Sequence, residues 1–302
     1  MNEPNYQKLF HSGELKKRVK LAYTTMKDCT LCPHHCHVDR IRGETGYCEM
    51  GSEIIVASYG PHFGEEPPLV GLKGSGTIFF SSCNLKCIYC QNYDISHYKE
   101  GDTISLRNLA EIMIDLQKRG CHNINFVTPS HMTHAILASL LIACNKGLRI
   151  PIIYNSGGYD DYKSLRLLDG VIDIYMPDIK YADEKTALKY SKIPGYFSIV
   201  KKAVKEMHRQ VGDLTIENGI ATKGLIIRHL VLPGELAGTK RVIDFVSREI
   251  SPDSYLNIMK QYYPAYKARE HEPLNRRITD QEYKKAISVA KQAGAGLTRI
   301  VT

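Results

Sequence analysis

The chain has 302 residues, of which 43% are hydrophobic and 24% are charged, a composition typical of a folded globular protein and not of a disordered or fibrous one. Its 40 Lys and Arg against 32 Asp and Glu give a net charge of +8, which favours anionic ligands or an acidic partner surface but does not by itself indicate nucleic-acid binding. No apolar run reaches the ~20 residues that span a membrane, so no membrane association is expected.

The chain begins with a polar segment that is predicted to be helical over residues 6–26. Its first residues, MNEPNYQKLFHSGELKKRVK, lack the apolar stretch of a secretory signal. The sequence contains nine cysteines, and without a signal clustered cysteines are more often metal ligands in a reducing compartment than disulfide partners. We therefore expect a cytoplasmic protein.

A loop-rich segment follows from residue 29 to residue 76, and residues 1–76 are treated as an N-terminal extension. Four cysteines in it have the spacing C-x2-C-x3-C-x11-C: Cys29, Cys32, Cys36 and Cys48. Four thiolates complete a tetrahedral set, which is typical of a closed structural or electron-relay site. Zn²⁺ and a second iron–sulfur cluster both fit this set, and a segment without metal is the third alternative. Spare ligands lie nearby at His34, His35 and His37.

The extension also contains HFGEEPP, which places His62, Glu65 and Glu66 before the first strand of the core. A pair of carboxylates can do acid–base work, or it can cap a loop that closes the bottom of a barrel. Because nothing else in the sequence pairs these side chains with a second site, we favour the loop role.

From residue 77 onwards, apolar strands alternate with helices. The predicted strands cover residues 77–81, 123–128, 149–155, 171–179, 224–234 and 255–260. The predicted helices cover residues 106–120, 134–147, 161–170, 183–193, 197–210, 239–250 and 279–294. Near-continuous apolar strands of this kind indicate a parallel sheet covered by helices. Cys121 and Cys144 lie in or beside the helices and are interpreted as small buried residues.

These six strand–helix units predict an α/β fold. A closed TIM barrel has eight such units, so six predict an open, partial (β/α)6 TIM-like barrel over residues 77–302, with a lateral gap wide enough for a large substrate. In parallel α/β architectures the chemistry lies at the carboxyl ends of the strands. Residues that directly follow the strands are therefore the candidates for a site.

Three cysteines follow the first strand of the core, in SSCNLKCIYCQN. The spacing C-x3-C-x2-C lets the thiolates of Cys83, Cys87 and Cys90 face one point, as a soft metal or an iron–sulfur cluster requires. Three thiolates leave one iron of a four-iron cluster without a protein ligand, and a vacant position is typical of a catalytic site. The alternative is a zinc site that His97 or a more distant residue completes.

The stretch CNLKCIYCQN resembles the cluster loop of the radical S-adenosylmethionine (SAM) superfamily, and the six units resemble the partial barrel of that superfamily. The chain is similar to activating enzymes of glycyl-radical proteins, typified by pyruvate formate-lyase activase. It is most similar to an activase-like branch of iron–sulfur proteins that carries FGEEPP and GSGTIFFSSCNLKCIYCQNYDIS.

The resemblance implies a [4Fe-4S] cluster on Cys83, Cys87 and Cys90, with SAM on the open iron. Electron transfer to SAM would give methionine and a 5′-deoxyadenosyl radical. The resemblance also implies an electron donor of the flavodoxin or ferredoxin type and, as protein substrate, a glycyl-radical enzyme.

The resemblance further implies SAM contacts at the strand ends. Tyr89 matches an aromatic residue that packs near adenine, and Asn155 and Ser156 match candidate ribose contacts. The remaining matches contact the amino-acid part of SAM and are Asp178 and Lys180 of a D-x-K motif, and Arg228. His229, beside the last of these, is expected to be a hydrogen-bonded barrel residue.

One strand end departs from the activase pattern. Where activases carry Gly-Gly-Glu to receive the SAM amino group, this chain reads NFVTPSH, so Thr128, Ser130 or His131 would have to replace it. After the last strand, Gln261 and Tyr262 are further candidates.

Three functions are consistent with these features. The first is a radical SAM enzyme that takes a hydrogen atom from a glycine of a partner enzyme. The second is a radical SAM enzyme that acts on a small molecule or a nucleic acid. The third is a zinc-binding protein that regulates a partner or binds nucleic acid through its cysteine sets.

Overall fold

The structure, a computed structural model, describes residues 3–292 and 299–301. Ten strands form one sheet. In chain order they are β1 (Ile54–His62), β2 (Ser75–Phe80), β3 (Asp102–Ile104), β4 (Ile124–Val127), β5 (Ile152–Ser156), β6 (Ile174–Pro177), β7 (Thr215–Glu217), β8 (Ile220–Leu230), β9 (Tyr255–Met259) and β10 (Arg299–Val301). The α-helices of the described residues are α1 (Asn5–His11), α2 (Glu14–Met26), α3 (Pro67–Val70), α4 (Tyr93–Ser96), α5 (Leu106–Lys118), α6 (Thr133–Asn145), α7 (Tyr162–Leu167), α8 (Glu184–Ser191), α9 (Tyr196–Val211), α10 (Thr239–Phe245) and α11 (Asp280–Gln292).

Most of the sheet is parallel. Its parallel strands lie side by side in the order β2, β4, β5, β6, β8, β9 and β10. β1 pairs antiparallel with β2, β3 pairs antiparallel with β1, and β7 pairs antiparallel with the start of β8. Within the described residues the sheet ends at β3 on one side and at β10 on the other, so it is an open sheet and not a closed barrel.

The central strands form because their side chains are buried on both faces. Every residue of β5 and β6 is buried, which agrees with the near-continuous apolar runs in their sequences. The covering helices are amphipathic. For example, α5 begins after Ser105, whose Oγ accepts a hydrogen bond from the Asn108 N–H at 3.1 Å. Its core-facing side includes Leu109, Met113 and Leu116, and burial of each such side chain stabilises the fold by about 1.5–3 kcal/mol.

The six predicted strand–helix units are confirmed, and they form the parallel part of the sheet. Four strands were not predicted: β1, β3, β7 and β10. Three of them are three residues long, which is too short for a hydrophobic pattern. β1 lies inside the segment that was predicted to be loop-rich, and that prediction was wrong there. β1 is exposed along most of its second half and contains Gly60 and Pro61, so its sequence lacks the apolar run of a core strand.

Three helices differ from their predicted bounds. The lead-in over residues 6–26 is two helices and not one, because Gly13 adopts a left-handed conformation with φ of +75° between them. The helix predicted over residues 239–250 is α-helical to Phe245 and continues as a π-turn, Val246–Ile250. The last predicted helix is confirmed as α11, while its predicted end at residues 293–294 lies outside the described residues.

The N-terminal residues pack directly on the rest of the fold. β1 pairs with β2 from Val56 opposite Phe80 to His62 opposite Ser75, and α2 packs against α6. The division into an extension over residues 1–76 and a core over residues 77–302 stays a prediction. No helix in the described part of the chain has the length and apolar character needed to cross a membrane.

Candidate functional site

The carboxyl ends of the parallel strands surround a cavity of about 360 Å³, which lies in the ~300–1,000 Å³ range of small-molecule sites. All nine residues predicted for catalysis and cofactor binding line this cavity: Cys83, Cys87, Tyr89, Cys90, Asn155, Ser156, Asp178, Lys180 and Arg228. They belong to β5 and β8 or to the loops after β2 and β6. The parallel register brings them to one edge of the sheet, since Ser156 pairs with Pro177 and Asp178 bridges to Arg228.

Backbone and side-chain hydrogen bonds hold the three-cysteine loop in place. The N–H groups of Lys86 and Ile88 donate to carbonyl groups at the end of α8, at 3.3 Å and 2.9 Å. Each sulfur of the three cysteines accepts a hydrogen bond: Cys83 Sγ from the Leu85 N–H at 3.3 Å, Cys87 Sγ from Ser191 Oγ at 2.9 Å and Cys90 Sγ from Ser96 Oγ at 3.1 Å. Such donors are typical partners of cluster-ligating thiolates.

This set of donors fits a [4Fe-4S] cluster with one open iron. Three thiols face a single cavity that has room for a further ligand, and the Lys180 ammonium supplies positive charge beside them. Burial raises the pKa of Cys83 to about 12 and that of Cys87 to about 11, and the ammonium opposes the rise at both sulfurs. Metal binding must therefore displace protons from these thiols.

A network of four charged side chains also lines the cavity. Lys180 Nζ donates to Asp178 Oδ2 at 2.7 Å, and Arg228 Nε donates to Asp178 Oδ1 at 2.8 Å. Arg228 also donates to Asn155 Oδ1 at 2.8 Å and to Glu65 Oε2 at 3.1 Å. Burial alone would raise the pKa of Asp178, but the two cations hold it at about 2. Asp178 is therefore charged at neutral pH.

Glu65 is a cavity residue that the sequence analysis missed. Glu65 was expected to cap a loop at the bottom of the barrel, and that location is wrong. Its carboxylate lines the cavity, and its side chain is 7% exposed. Asn125 Nδ2 also donates to Glu65 Oε1, at 3.2 Å. Burial raises the pKa of Glu65, and the Arg228 guanidinium opposes the rise. Glu66 points elsewhere and accepts from Asn257 Nδ2 at 2.8 Å.

The turn after β5 is fixed by a buried carboxylate, Asp160, which was also missed. It accepts hydrogen bonds from Ser156 Oγ at 2.5 Å, Ser130 Oγ at 2.6 Å and the Tyr154 hydroxyl at 2.9 Å. Burial raises the pKa of Asp160. The Ser156 hydroxyl lies at the cavity but is therefore already committed as a donor.

The three candidates to replace the Gly-Gly-Glu of activases do not all lie at the cavity. Thr128 lines the cavity in a left-handed conformation with φ of +59°. Ser130 and His131 do not reach it: the first bonds to Asp160, and His131 Nε2 donates to the Ser81 carbonyl at 2.9 Å. These two are therefore wrong as direct replacements.

The other candidates are also resolved by their contacts. Gln261 lines the cavity, whereas Tyr262 is buried behind it and donates to the Leu274 carbonyl at 2.6 Å. The Tyr89 ring packs between Tyr181 and Tyr262, with centroids 6.1 Å and 6.0 Å away. His229 is confirmed as a hydrogen-bonded residue, 2.7 Å from the Ile179 carbonyl and 2.9 Å from Thr239 Oγ1.

The four N-terminal cysteines line a second, smaller cavity of about 10 Å³. Cys29, Cys32 and Cys48 are buried, and burial raises the pKa of the last two. In the described residues, no three His, Cys, Asp or Glu side chains converge closely enough to hold a metal ion as they stand, so an ion would have to draw the thiols inward. Two further polar residues on the cavity wall are Arg40 and His131.

The three histidines proposed as spare ligands have other partners. His34 donates to the Asn84 carbonyl at 2.9 Å and stacks on Tyr47 with ring centroids 3.7 Å apart. His35 and His37 lie 2.8 Å from carboxylate oxygens of Asp161 and Asp28. None of the three lines the smaller cavity. The interpretation of Cys121 and Cys144 as buried residues is confirmed.

Comparison with known sequences gives matches that cover most of the chain. The family profile of the Radical SAM superfamily matches residues 77–246. The uncharacterized protein MJ0674 of Methanocaldococcus jannaschii is 34% identical over 286 residues, which cover 92% of this chain and 78% of MJ0674. The uncharacterized protein MJ0808 of the same organism is 23% identical over 265 residues, 81% of this chain and 73% of MJ0808.

A solved structure resembles the fold. The structure of HydG, a maturase of the [FeFe]-hydrogenase, matches with a TM-score of 0.50 at 12% identity, over 74% of this chain and 51% of HydG. The chain thus spans about half the length of HydG. At this identity the likeness concerns the α/β fold alone.

Proposed function

This chain belongs to the radical SAM superfamily, and from that premise we propose that it directs its radical at a glycine residue of a partner enzyme. Superfamily membership brings an iron–sulfur cluster and the reductive cleavage of SAM. When bound, the [4Fe-4S] cluster supplies the electron that splits SAM into methionine and a 5′-deoxyadenosyl radical. The residues of this chain hold the cluster, orient SAM and shape the approach to it.

In this proposal Cys83, Cys87 and Cys90 hold the cluster and the charged wall of the cavity orients the amino-acid part of SAM. Lys180 and Arg228 face the SAM carboxylate, since both are cations on the cavity lining. Asp178, which bonds to both at 2.7–2.8 Å, keeps them in place.

We assign the SAM amino group to Glu65. The cavity has two lining carboxylates, and Asp178 is already bonded to two cations. Glu65 pairs with one of the two cavity cations, Arg228 at 3.1 Å, and lies 3.8 Å from His62 Nδ1. A further positive group beside it would lower its raised pKa. A glutamate from the loop after β1 would thus replace the strand-end glutamate that activases use.

We assign the contacts with the adenosine part of SAM to Tyr89, Asn155 and Ser156. The side-chain amide oxygen of Asn155, Oδ1, accepts from Arg228 at 2.8 Å, which leaves the Asn155 side-chain NH₂ group to donate to a ribose oxygen. The Tyr89 ring offers an apolar face at the cavity wall.

One observation supports the proposal that the substrate is a polypeptide: a cavity of about 360 Å³, which would hold both the cluster and SAM, lies at the carboxyl ends of an open sheet. About 360 Å³ is near the low end for a small-molecule site, so a second small substrate has little room beside SAM. Across the open side, the cysteine loop meets the segment after β9 through side chains, with Gln91 donating to the Gln261 carbonyl at 3.1 Å and His97 stacked on Tyr266 at 4.4 Å. A polypeptide loop can enter by displacing such contacts without breaking a strand pair.

The electron donor is proposed to be a flavodoxin or a ferredoxin. The net charge of +8 favours a donor with an acidic surface, because complementary charge speeds association.

The test is anaerobic reconstitution with iron and sulfide, followed by incubation with SAM and a reductant, or with reduced flavodoxin or ferredoxin. We expect 5′-deoxyadenosine. Addition of a glycyl-radical enzyme from the same organism, with deuterated glycine, should then give a glycyl radical by electron paramagnetic resonance and deuterium in 5′-deoxyadenosine.

The outcomes separate the alternatives. Formation of 5′-deoxyadenosine with deuterium from a small molecule or a nucleic acid, and none from glycine, would overturn the polypeptide proposal. A protein that carries zinc alone after aerobic and anaerobic purification, and that cannot be loaded with iron, would support the zinc-binding alternative. Cys87→Ala serves as the inactive control.

A further inference from the structure

The smaller cavity contains a buried cation without a counter-charge. Arg40 is 1% exposed. Its Nε donates to the Gly51 carbonyl and its Nη1 to the His131 carbonyl, both at 2.9 Å. Its Nη2 has no hydrogen-bond partner among the described residues, and no acidic side chain there forms an ion pair with it. A buried guanidinium in this state costs several kcal/mol, so the site is built for an anion.

The cysteines beside Arg40 supply that anion when they bind a dication. The cavity that Arg40 lines is also lined by Cys29, Cys32, Cys36 and Cys48. Four thiolates on Zn²⁺, or on a four-iron cluster in its usual oxidised state, leave a net charge of about −2. We propose that these four cysteines form a second metal site, closed by thiolates and independent of SAM, and that Arg40 is its counter-ion.

The size of the cavity favours a single ion. Its volume of about 10 Å³ holds about one water-sized sphere, which is enough for Zn²⁺ but not for a four-iron core. Leu31 and Val38 form the apolar part of its wall. A complete thiolate set in a dry cavity is typical of structural zinc.

The second site also touches the loop of the first. Ser82 Oγ donates to the Cys48 carbonyl. His34, between two of the proposed ligands in sequence, donates to the carbonyl of Asn84 at 2.9 Å, and Lys86 Nζ lies 3.1 Å from Glu49 Oε1. A metal on the four N-terminal cysteines therefore braces the segment that carries Cys83 and Cys87.

The test starts from the variant Cys83→Ala/Cys87→Ala/Cys90→Ala, which removes the first cluster site. The full-length variant is expressed with zinc and with iron and sulfide in separate preparations, freed of loose metal, and analysed for both elements. We expect about one zinc per chain; about four irons would support a metal site but would overturn the assignment of a single ion. Less than a tenth of an equivalent of either would overturn the proposal.

A further substitution in this background locates the metal. Adding Cys32→Ala should reduce the bound metal to background, while adding Cys144→Ala, a buried thiol elsewhere, should leave it unchanged. Because Cys32→Ala could impair folding, the parent variant is also titrated with a chelator while thiol reactivity is followed. Release of metal should make four thiols reactive together, and reactivity that is independent of metal release would contradict the proposal.

Arg40 is tested as a positioning residue by Arg40→Met and Arg40→Lys. Loss of an outer-sphere partner typically weakens metal binding by about 10–100-fold, so Arg40→Met should lower affinity by that amount in a chelator competition. Arg40→Lys, which keeps the charge, should recover most of it. Equal affinity of Arg40→Met and the unsubstituted protein would overturn the counter-ion role. None of these measurements depends on SAM cleavage, so they stand or fall separately from the proposed function.

Discussion

The two cysteine sets lie in cavities of opposite character. The N-terminal four line a space of about 10 Å³ whose charged wall residue is Arg40, and the three of the catalytic loop line a space of about 360 Å³ with charged residues of both signs. In the larger cavity, Asp178 and Glu65 balance Lys180 and Arg228. In the smaller one, Arg40 has hydrogen bonds but no acidic partner within the described ranges.

This difference separates two ways of building a site. In the larger cavity the charges compensate one another, so the wall is stable before a ligand arrives and can exchange ligands. In the smaller cavity the thiols are complete in number but the charge is not balanced, which is the basis of the metal site proposed there. The two sites therefore differ in two respects, the number of thiols and the balance of charge among the other wall residues.

The largest expected effect is the loss of SAM cleavage when a cysteine of the larger cavity is replaced. Cys87→Ala should reduce 5′-deoxyadenosine formation to background, because two thiols cannot hold the cluster in a reactive position. The matched control Cys144→Ala, also a buried thiol, should stay active. Chromatography of the nucleoside product is the measurement, and substantial product from Cys87→Ala would remove the basis for distinguishing the two sets.

The balance of charges is tested next. Asp178→Asn leaves Lys180 without its carboxylate partner and Arg228 with Glu65 alone, and it should lower the free energy of unfolding by about 3–5 kcal/mol. Asp244→Asn is the control, since its partner Lys240 is 71% exposed and such pairs contribute less than about 1 kcal/mol. In metal-free protein, Arg40→Met should cost less than Asp178→Asn. Urea unfolding gives all three values, and the reverse order for Arg40 and Asp178 would contradict the comparison.

Both cavities have a buried neutral histidine nearby, and acid should act on both. Burial lowers the pKa of His229 to about 4 and that of His131 to about 3. Between the ordinary value of about 6.5 and these values, the unfolded chain binds protons that the folded chain excludes. The free energy of unfolding should therefore fall as the pH decreases below 6.5, by about 1.4 kcal/mol per pH unit for each histidine at most.

Urea unfolding between pH 7.5 and pH 5 measures this slope. His229→Gln should make it shallower, whereas His11→Gln, at an exposed position, should not change it. An unchanged slope in His229→Gln would mean that this histidine does not contribute.

The smallest effect concerns the second carboxylate of the larger cavity. Glu65→Gln should weaken SAM binding to the reconstituted protein about tenfold, or about 1.4 kcal/mol, because the amide keeps the shape but not the charge. Glu66→Gln is the matched control, since Glu66 is buried but does not line the cavity. Calorimetric titration decides between them, and a larger loss in Glu66→Gln would contradict the assignment of Glu65.

Much of the fold and of the first site could be predicted because strand periodicity and strand-end position are local properties of the sequence. The six apolar runs predicted the parallel strands, and the parallel arrangement alone requires that residues after β2, β5 and β6 meet. Cys83 could be predicted from its spacing to Cys87 and Cys90 and from its position after a strand, whereas Asn155 and Asp178 were predicted from the resemblance of their strand ends to the family.

The missed residues depend on contacts that a local pattern does not contain. Glu65 reaches the cavity because β1 pairs antiparallel with β2, and β1 lacks a core-strand pattern. Arg40 lies in the polar stretch VDRIRGE, and its burial results from packing against His131, 91 residues later in the chain. The role of Asp160 likewise could not be predicted, because its hydrogen bonds form only in the folded turn after β5.

The wall of the larger cavity is assembled from residues between His62 and Gln261, while the smaller one needs nothing beyond His131. Translation adds ~5–20 residues per second, so Gln261 is synthesised on the order of 10 s after His131. The smaller cavity can therefore form while the chain is still on the ribosome, before the later strands that enclose Cys83, Cys87 and Cys90 have been synthesised. Under the proposed assignments, the N-terminal cysteines would therefore need their metal before the catalytic loop needs its cluster.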